Sequence, residues 1–325
     1  MQKQTPLISV IMPLYNAERF VGESIENVLR QTVGDFELIV IDDASTDASA
    51  EIARAYAAKD NRIVLMHNEL NSGAARTRNR ALDAARGKFI TFMDADDLCS
   101  PERFAKQLAF FERHPQTDIC GSYYTMFGTR GGGENDELKI QVPLTHEEIQ
   151  YQLFFGCPFG MSSVMLRSEP FKRTGIRFRE CMAEDYQLWV DLSEHLRMAN
   201  IPEYLTFYRR WEDQISTRQL DRQTLSAQLT QQEQLARKLG VRLSDDEARI
   251  FTRFSLRTGE VKKRELASYR RILTRLYKAG IRHSHDPKLL KRQLMRRYKM
   301  ACGLFYPSWR VWIHKRLFLV RLLAS

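Results

Sequence analysis

The sequence predicts an α/β fold, with a mainly parallel sheet and flanking helices over residues 1–216, followed by a basic α-helical region over 217–325. Three observations carry this. Residues 7–93 alternate short apolar runs with stretches of helical apolar spacing. One run, Leu38 to Ile41, is apolar on both faces, as a strand covered on each side requires. The charge also divides: residues 217–325 hold 26 Lys/Arg against 8 Asp/Glu, a balance of +18, whereas the first 216 residues carry −8 within a chain total of +10.

In chain order, Leu7–Met12 reads as a strand stopped by Pro13. Phe20, Val21, Ile25, Val28 and Leu29 follow at helical spacing. After the Leu38–Ile41 strand come a helix over 47–58, a strand at Ile63–Met66, a helix over 73–85 and a strand at Phe89–Met93. Repeated βαβ units place ligands at the carboxyl ends of parallel strands. A further helix starts at Pro101-Glu102, with Asp97 or Ser100 placed to cap it. From 120 to 216 the pattern loosens: Gly131-Gly132-Gly133 marks a flexible loop, and Cys157-Pro158 and Ile201-Pro202 punctuate extended segments. Beyond 217 the spacing predicts helices over 221–239, 245–257, 262–279 and 287–301, with Gly240 and Gly280 at C-cap positions.

A chain of 325 residues, 43% hydrophobic, can bury one core with a smaller appended unit. Its five cysteines form no Cys-x-x-Cys pair, which predicts free thiols in a reducing compartment, with Cys157 and Cys181 as packing residues. The N-terminus does not read as a signal peptide, and no apolar run is long enough to span a bilayer. The expectation is a cytoplasmic protein that meets membrane only at a surface.

Each predicted strand end delivers polar residues: Pro13-Leu14-Tyr15-Asn16 after the first, Asp42 to Asp47 after the second, Asp94-Ala95-Asp96-Asp97 after the fourth. Three carboxylates in four positions repel one another, and at the end of an apolar strand they call for a hard cation, Mg²⁺ or Mn²⁺. Capping by Asp97 would account for one of them but not for Asp94 and Asp96 together. The first strand is followed by no glycine, against a dinucleotide fingerprint, and Gly87-Lys88 leads into a strand, against a P-loop. A nucleotide held by side chains and a metal remains.

Four motifs in order, Ser9 to Asn16, Asp42 to Asp47, Asn71-x-Gly73…Arg78-Asn79 and Asp94-Ala95-Asp96-Asp97, resemble family 2 glycosyltransferases of the Rossmann-like GT-A fold. Glu184-Asp185-Tyr186-Gln187-Leu188-Trp189 resembles the family's Glu-Asp motif, and Tyr208-Arg209 with Gln214-Ile215-Ser216 resembles the segment closing its catalytic domain. The resemblance covers residues 7–216. It implies that Pro13, Tyr15 and Asn16 line the nucleobase pocket and that Asp43 binds base or ribose. It further implies that Asp94 reaches the ribose, Asp96 the metal on the donor diphosphate, and that Arg78 holds the acidic loop. Asp185 would be the catalytic base, with Glu184 beside it.

The implied chemistry is physically consistent. Inverting transfer needs a carboxylate opposite the leaving group, and a metal offsets charge on the departing nucleoside diphosphate. The donor would be a nucleoside-diphosphate sugar, a UDP-sugar first, and the acceptor a lipid-linked or surface polysaccharide. Plainer alternatives stand beside these roles: Asp43 and Asp47 as turn or cap residues, Arg78 as a solvated cation, Glu184-Asp185 as the acidic first turn of a helix. Tyr208, Arg209 and Arg210 meet the diphosphate or form a charged strand edge. For the whole chain the alternatives are a nucleotidyltransferase of the same fold, which would need a glycine-rich loop after its first strand, and a catalytically silent sugar-nucleotide binding module.

After Asp286 the sequence has ten Lys/Arg and no acid, interleaved with Tyr298, Phe305, Tyr306, Trp309, Trp312 and Phe318. This reads as contact with the anionic inner leaflet, in preference to packing on the protein's own domain or to nucleic acid, which is not expected. Arg316 falls within the apolar face of Trp309, Trp312, Leu319, Val320 and Leu323, from which it can snorkel.

Overall fold

The computed structural model describes residues 5–128, 137–212, 214, 219–282, 286–306, 311, 314 and 318. The chain folds into two compact units, one from the start to Ile149 plus Pro158–Gln219, the other Gln150–Cys157 plus the chain from Leu220 onward. The sequence alone places the boundary at 216/217 and keeps 150–157 with the first part.

The first unit is built on strands β1 (Ile8–Leu14), β2 (Phe36–Asp42), β3 (Ile63–His67) and β4 (Phe89–Phe92), which pair in parallel in the order β3-β2-β1-β4. Helices α1 (Val21–Leu29), α2 (Ser49–Ala57) and α3 (Gly73–Ala84) connect them. All seven residues of β2 are buried, as its two-faced apolar pattern requires. The sheet continues through β8 (Met165–Arg167), antiparallel to both β4 and β6 (Ile119–Phe127). Strand β9 (Met198–Arg209) runs parallel to β6, and two short strands, β5 (Leu98–Cys99) and β7 (Leu138–Ile140), complete it. Helices α4 (Arg103–Arg113), α5 (His146–Leu153), α6 (Ser168–Thr174) and α7 (Glu184–Leu192) fill the second half, with α5 running across the unit boundary.

Two local expectations need correction. Pro13 does not stop β1, which runs on to Leu14. Leu14 faces β2, where its carbonyl accepts the Asp43 N–H, and Ile11 faces β4, where its carbonyl accepts the Met93 N–H. Pro13 therefore faces the β4 side, two register positions past the last pair of β4, Ile11 with Phe92, and its missing N–H costs no ladder bond. Asp97 does not cap α4, which begins at Arg103: its carboxylate is buried and engaged elsewhere.

The second unit holds α8 (Leu220–Leu239), α9 (Asp245–Leu256), α10 (Leu266–Ile281) and α11 (Pro287–Gly303), packed around Phe251, Tyr269, Leu273, Leu294 and Tyr298. Gly240, at φ 63°, follows α8 in the left-handed conformation of a C-cap. Gly280 does not cap α10. It lies inside the helix, where a Cβ would come within 2.6 Å of Leu290 Cδ2, so glycine there permits close approach of α11.

Tyr298 and Phe318, read from sequence among aromatics offered to a membrane, are buried with ring centroids 4.6 Å apart, and Val311 is buried with them. Trp309, Trp312, Arg316, Leu319, Val320 and Leu323 lie outside the described residues, as do the glycine loop at 131–133 and Ile215-Ser216. All five cysteines are free thiols. Among the described residues no helix is long and apolar enough to cross a membrane.

Candidate active site

The strand order places a switch point between β1 and β4: the chain winds from β1 through β2 to β3, then returns to the other side of β1. Crevices open at the carboxyl ends of such strands. Tyr15 and Asn16 leave β1 there, Asp43 leaves β2, and Asp94 leaves β4.

The loop after β1 is fastened to the loop after β2. Asn16 adopts φ 47°, which Asn tolerates, and its Oδ1 accepts the Thr46 N–H at 2.8 Å. Its own N–H donates to Ser45 Oγ at 3.1 Å. Tyr15 is 42% exposed beside it, and Pro13 is half-buried. Ala44 is also left-handed, at φ 58°, a strained state for alanine that stays local to this loop.

Asp43 is almost fully buried. Its Oδ1 accepts from Asn68 Nδ2 at 2.7 Å and the Ser72 N–H at 2.8 Å, while Oδ2 accepts the Gly73 N–H at 2.8 Å. It thus satisfies the amino end of α3 from a distant loop, a cap that local sequence does not reveal.

The acidic loop is held at each of its three aspartates. Arg78 on α3 donates Nη2 to Asp94 Oδ1 at 2.8 Å and Nη1 to Glu184 Oε1 at 2.6 Å, with its side chain 7% exposed. Burial opposes its charge, yet Asp94 and Glu184 outweigh that and raise its pKa above the usual guanidinium value. Arg78 is therefore a buried bridge and not a solvated cation. Asp96 Oδ2 accepts from Trp211 Nε1 at 2.8 Å, and burial with the nearby Asp94 charge pushes its pKa up to about 6. Asp97 accepts from Ser162 Oγ at 2.6 Å and from the Arg209 N–H at 2.9 Å, and burial followed by the charges of Asp96 and Asp94 raises its pKa well above the carboxylate range.

Glu184 and Asp185 open α7. Burial and the neighbouring Glu184 charge push Asp185 up to about 6, and the Tyr186 N–H donates to its Oδ1 at 2.7 Å. At neutral pH such a carboxylate is mostly ionised yet more basic than an exposed one, as a general base needs.

Arg209 is a structural fastener here, not a free cation. Its Nε donates to the Asp96 carbonyl at 2.8 Å, Nη2 pairs with Glu23 at 2.6 Å, and the guanidinium lies over Phe20 and Phe127. Trp211, Ser162 and Asn68 carry no signal in the sequence, because each reaches the acidic loop or Asp43 across 25 or more positions; Ser162 Oγ also accepts the Asp94 N–H at 3.1 Å. Arg103 is equally hidden there: it is fully buried and donates to Thr91 Oγ1 and the Ser162 carbonyl, behind the acidic loop.

Asp94 and Asp96 carry carboxylate oxygens of the kind that could hold a hard cation. Among the described residues no three His, Cys, Asp or Glu side chains come together as a full ligand set.

Comparison with known proteins agrees with this geometry. Residues 9–175 match Glycosyl transferase family 2. The chain is 35% identical over 248 residues to the putative glycosyltransferase EpsE of Bacillus subtilis (strain 168), covering 74% of this chain and 85% of that protein. It is 31% identical over 217 residues to the putative teichuronic acid biosynthesis glycosyltransferase TuaG of the same organism, covering 65% and 82%. Among solved structures, S. aureus TarS 1-349 in complex with UDP-GlcNAc superposes with a TM-score of 0.59 at 23% identity, over 84% of this chain and 81% of that one. The mannosyltransferase PcManGT from Pyrobaculum calidifontis, in complex with GDP-Man and Mn²⁺, superposes with a TM-score of 0.55 at 16% identity, over 99% and 87%. With its GT-A fold and the family match running through the loops after β1, β2 and β4 to Gly175, the chain is a transferase enzyme that belongs to glycosyltransferase family 2.

Proposed function

We propose that the enzyme is an inverting, metal-dependent glycosyltransferase that moves a sugar from a nucleoside-diphosphate sugar, a UDP-sugar first, to a lipid-linked or polysaccharide acceptor in cell-surface glycan synthesis. The observation that carries this is the Arg78 bridge, which ties Asp94 on the donor side to Glu184, the neighbour of Asp185. UDP-GlcNAc in TarS, GDP-Man in PcManGT and the teichuronic acid role named for TuaG support the donor class and the pathway.

In this reading Pro13, Tyr15, Asn16 and Asp43 receive the nucleobase and ribose, and Asp94 reaches the ribose. Asp96 would hold Mn²⁺ or Mg²⁺, which supplies charge neutralisation for the departing diphosphate. Asp185 takes the proton of the acceptor hydroxyl while that oxygen bonds to the anomeric carbon from the face opposite the leaving group. The bond to the diphosphate oxygen breaks with its electron pair, so the anomeric configuration inverts. Glu184, paired with Arg78, stands beside the base. Donor hydrolysis, with water in place of the acceptor, tests this: NMR should first detect the anomer opposite to the donor's, and EDTA or Asp96→Asn should abolish release. A retained configuration, or full activity in EDTA, overturns it.

We also read the enzyme as peripheral on the cytoplasmic face of the inner membrane. Arg271, Arg275 and Lys278 on α10, with Arg282 just past its end, form one exposed row, and Lys288, Arg292, Arg296 and Lys299 form another along α11. From Leu266 to Gly303 the sequence has eleven Lys/Arg and one acid, Asp286. That excess equals the net charge of the whole chain, and it suits anionic headgroups.

A further inference from the structure

Asn79 stands next to Arg78 in the third sequence motif, and its side chain makes an unusual pair of bonds. Its Nδ2 donates to the Phe178 carbonyl at 2.9 Å, and its Oδ1 accepts the Phe178 N–H at 3.0 Å. One side-chain amide thus occupies both polar groups of a single backbone residue, as a neighbouring strand would. Phe178 lies six residues before Glu184, in a stretch outside any helix or strand. It is buried against Phe92 of β4, with ring centroids 5.8 Å apart, and the Arg78 guanidinium sits 5.6 Å from its ring.

A connecting segment without regular structure has no ladder to fix its register. This one is fixed by α3: Asn79 holds Phe178, the exposed pair Arg76–Glu180 closes at 2.8 Å, and Arg78 reaches Glu184 at 2.6 Å. The exposed pair contributes little. Arg78 grips α7 only if α7 arrives at the right place. The half-buried, two-bond clamp on Phe178 is the firmer hold of α3 on this segment, and the Arg179–Asp191 pair at 3.0 Å joins the segment to α7 itself.

Building on the assignment of Asp185 as base, we infer that Asn79 is a positioning residue for the base, acting through the Phe178 backbone on the segment that delivers α7. Asn79 touches neither donor nor acceptor. Its loss lets Asp185 drift from the line of the acceptor hydroxyl while leaving the nucleotide site intact, and a misplacement near 1 Å costs about 10²-fold in rate.

The test compares wild type with Asn79→Ala, which removes both bonds, and Asn79→Asp, which keeps the volume and one acceptor but cannot donate to the Phe178 carbonyl. Donor hydrolysis gives kcat and its pH profile, and calorimetry gives the UDP affinity. Both variants should lose about 10- to 100-fold in kcat with UDP affinity unchanged. The pH limb assigned to Asp185 should also move, because its buried setting relaxes. Normal kcat and pH profile in variants that only melt earlier would overturn the inference, as would weaker UDP binding with unchanged kcat. If the alanine variant does not fold, the aspartate variant carries the test. Asp185→Asn, assayed in parallel, separates the two claims: if it stays active the base assignment fails, and if it is inactive while both Asn79 variants work, only the inference fails.

Discussion

Arg78 shows how much one side chain carries here. Two carboxylates from distant parts of the chain share a guanidinium that is almost entirely out of water. Removing it leaves Asp94 and Glu184 without their counter-charge, and breaking one partner from a buried pair costs about 3–5 kcal/mol. Arg78→Gln should therefore lower the melting temperature by roughly 10 °C, at 2–4 °C per kcal/mol for a domain of this size. Differential scanning calorimetry checks it; an unchanged melting temperature would mean the bridge is energetically idle. The sequence identifies Arg78 as a candidate but leaves open a solvated cation on a polar helix face. Its partner at position 184 lies 106 residues away, and no local pattern encodes that pairing. The same holds for Trp211 on Asp96, 115 residues apart.

Elements are more legible than contacts, because strand and helix periodicities are local. The alternation over 7–93 corresponds to four parallel strands and three helices, with ends shifted by a residue or two. Helix ends depart from the sequence pattern where tertiary packing decides them. Gly280 looks like a cap in sequence, but Leu290 across the helix pair determines why glycine is there. Pro13 looks like a strand stop, but the early end of β4 removes its cost. Gly87, between α3 and β4, is a comparable case. A Cβ there would lie 2.5 Å from the Ser9 backbone nitrogen, whereas one at Gly34 would meet nothing within 4 Å. Gly87→Ala should destabilise by about 1–3 kcal/mol, since backbone must shift. Gly34→Ala should be neutral or stabilising by about 0.4–1 kcal/mol. Urea titration of the two variants gives the comparison, and equal midpoints would contradict the close approach.

At the scale of the whole molecule, charge and chemistry are separated along the chain. The first unit holds the acidic site, and the second holds the two cation rows on α10 and α11. The division is legible from charge counts, whereas the inclusion of 150–157 in the second unit is not, because Gln231 and Gln234 bind that segment's carbonyls from far along the chain. Neutralising Lys288, Arg292, Arg296 and Lys299 to glutamine should weaken flotation with vesicles containing phosphatidylglycerol by tens-fold or more, at about 1 kcal/mol per cation near the surface. Donor hydrolysis in solution should be unchanged. Undiminished flotation would place membrane contact elsewhere.

The central claim is that Asp185 is the base of a nucleotide-sugar site, and the pH dependence of nucleotide release tests it most directly. With UDP-GlcNAc, UDP-glucose and GDP-mannose offered in turn with Mn²⁺, the productive donor should be hydrolysed at a rate that rises with pH through about 6 and then levels. The sign follows from the chemistry: the base must be ionised, and burial with the Glu184 charge holds its proton up to about that pH. Asp185→Asn should cut the rate by roughly 10²–10⁴ and abolish that limb while UDP binding by calorimetry persists. An asparagine variant with near-normal turnover and the same pH profile would contradict the account.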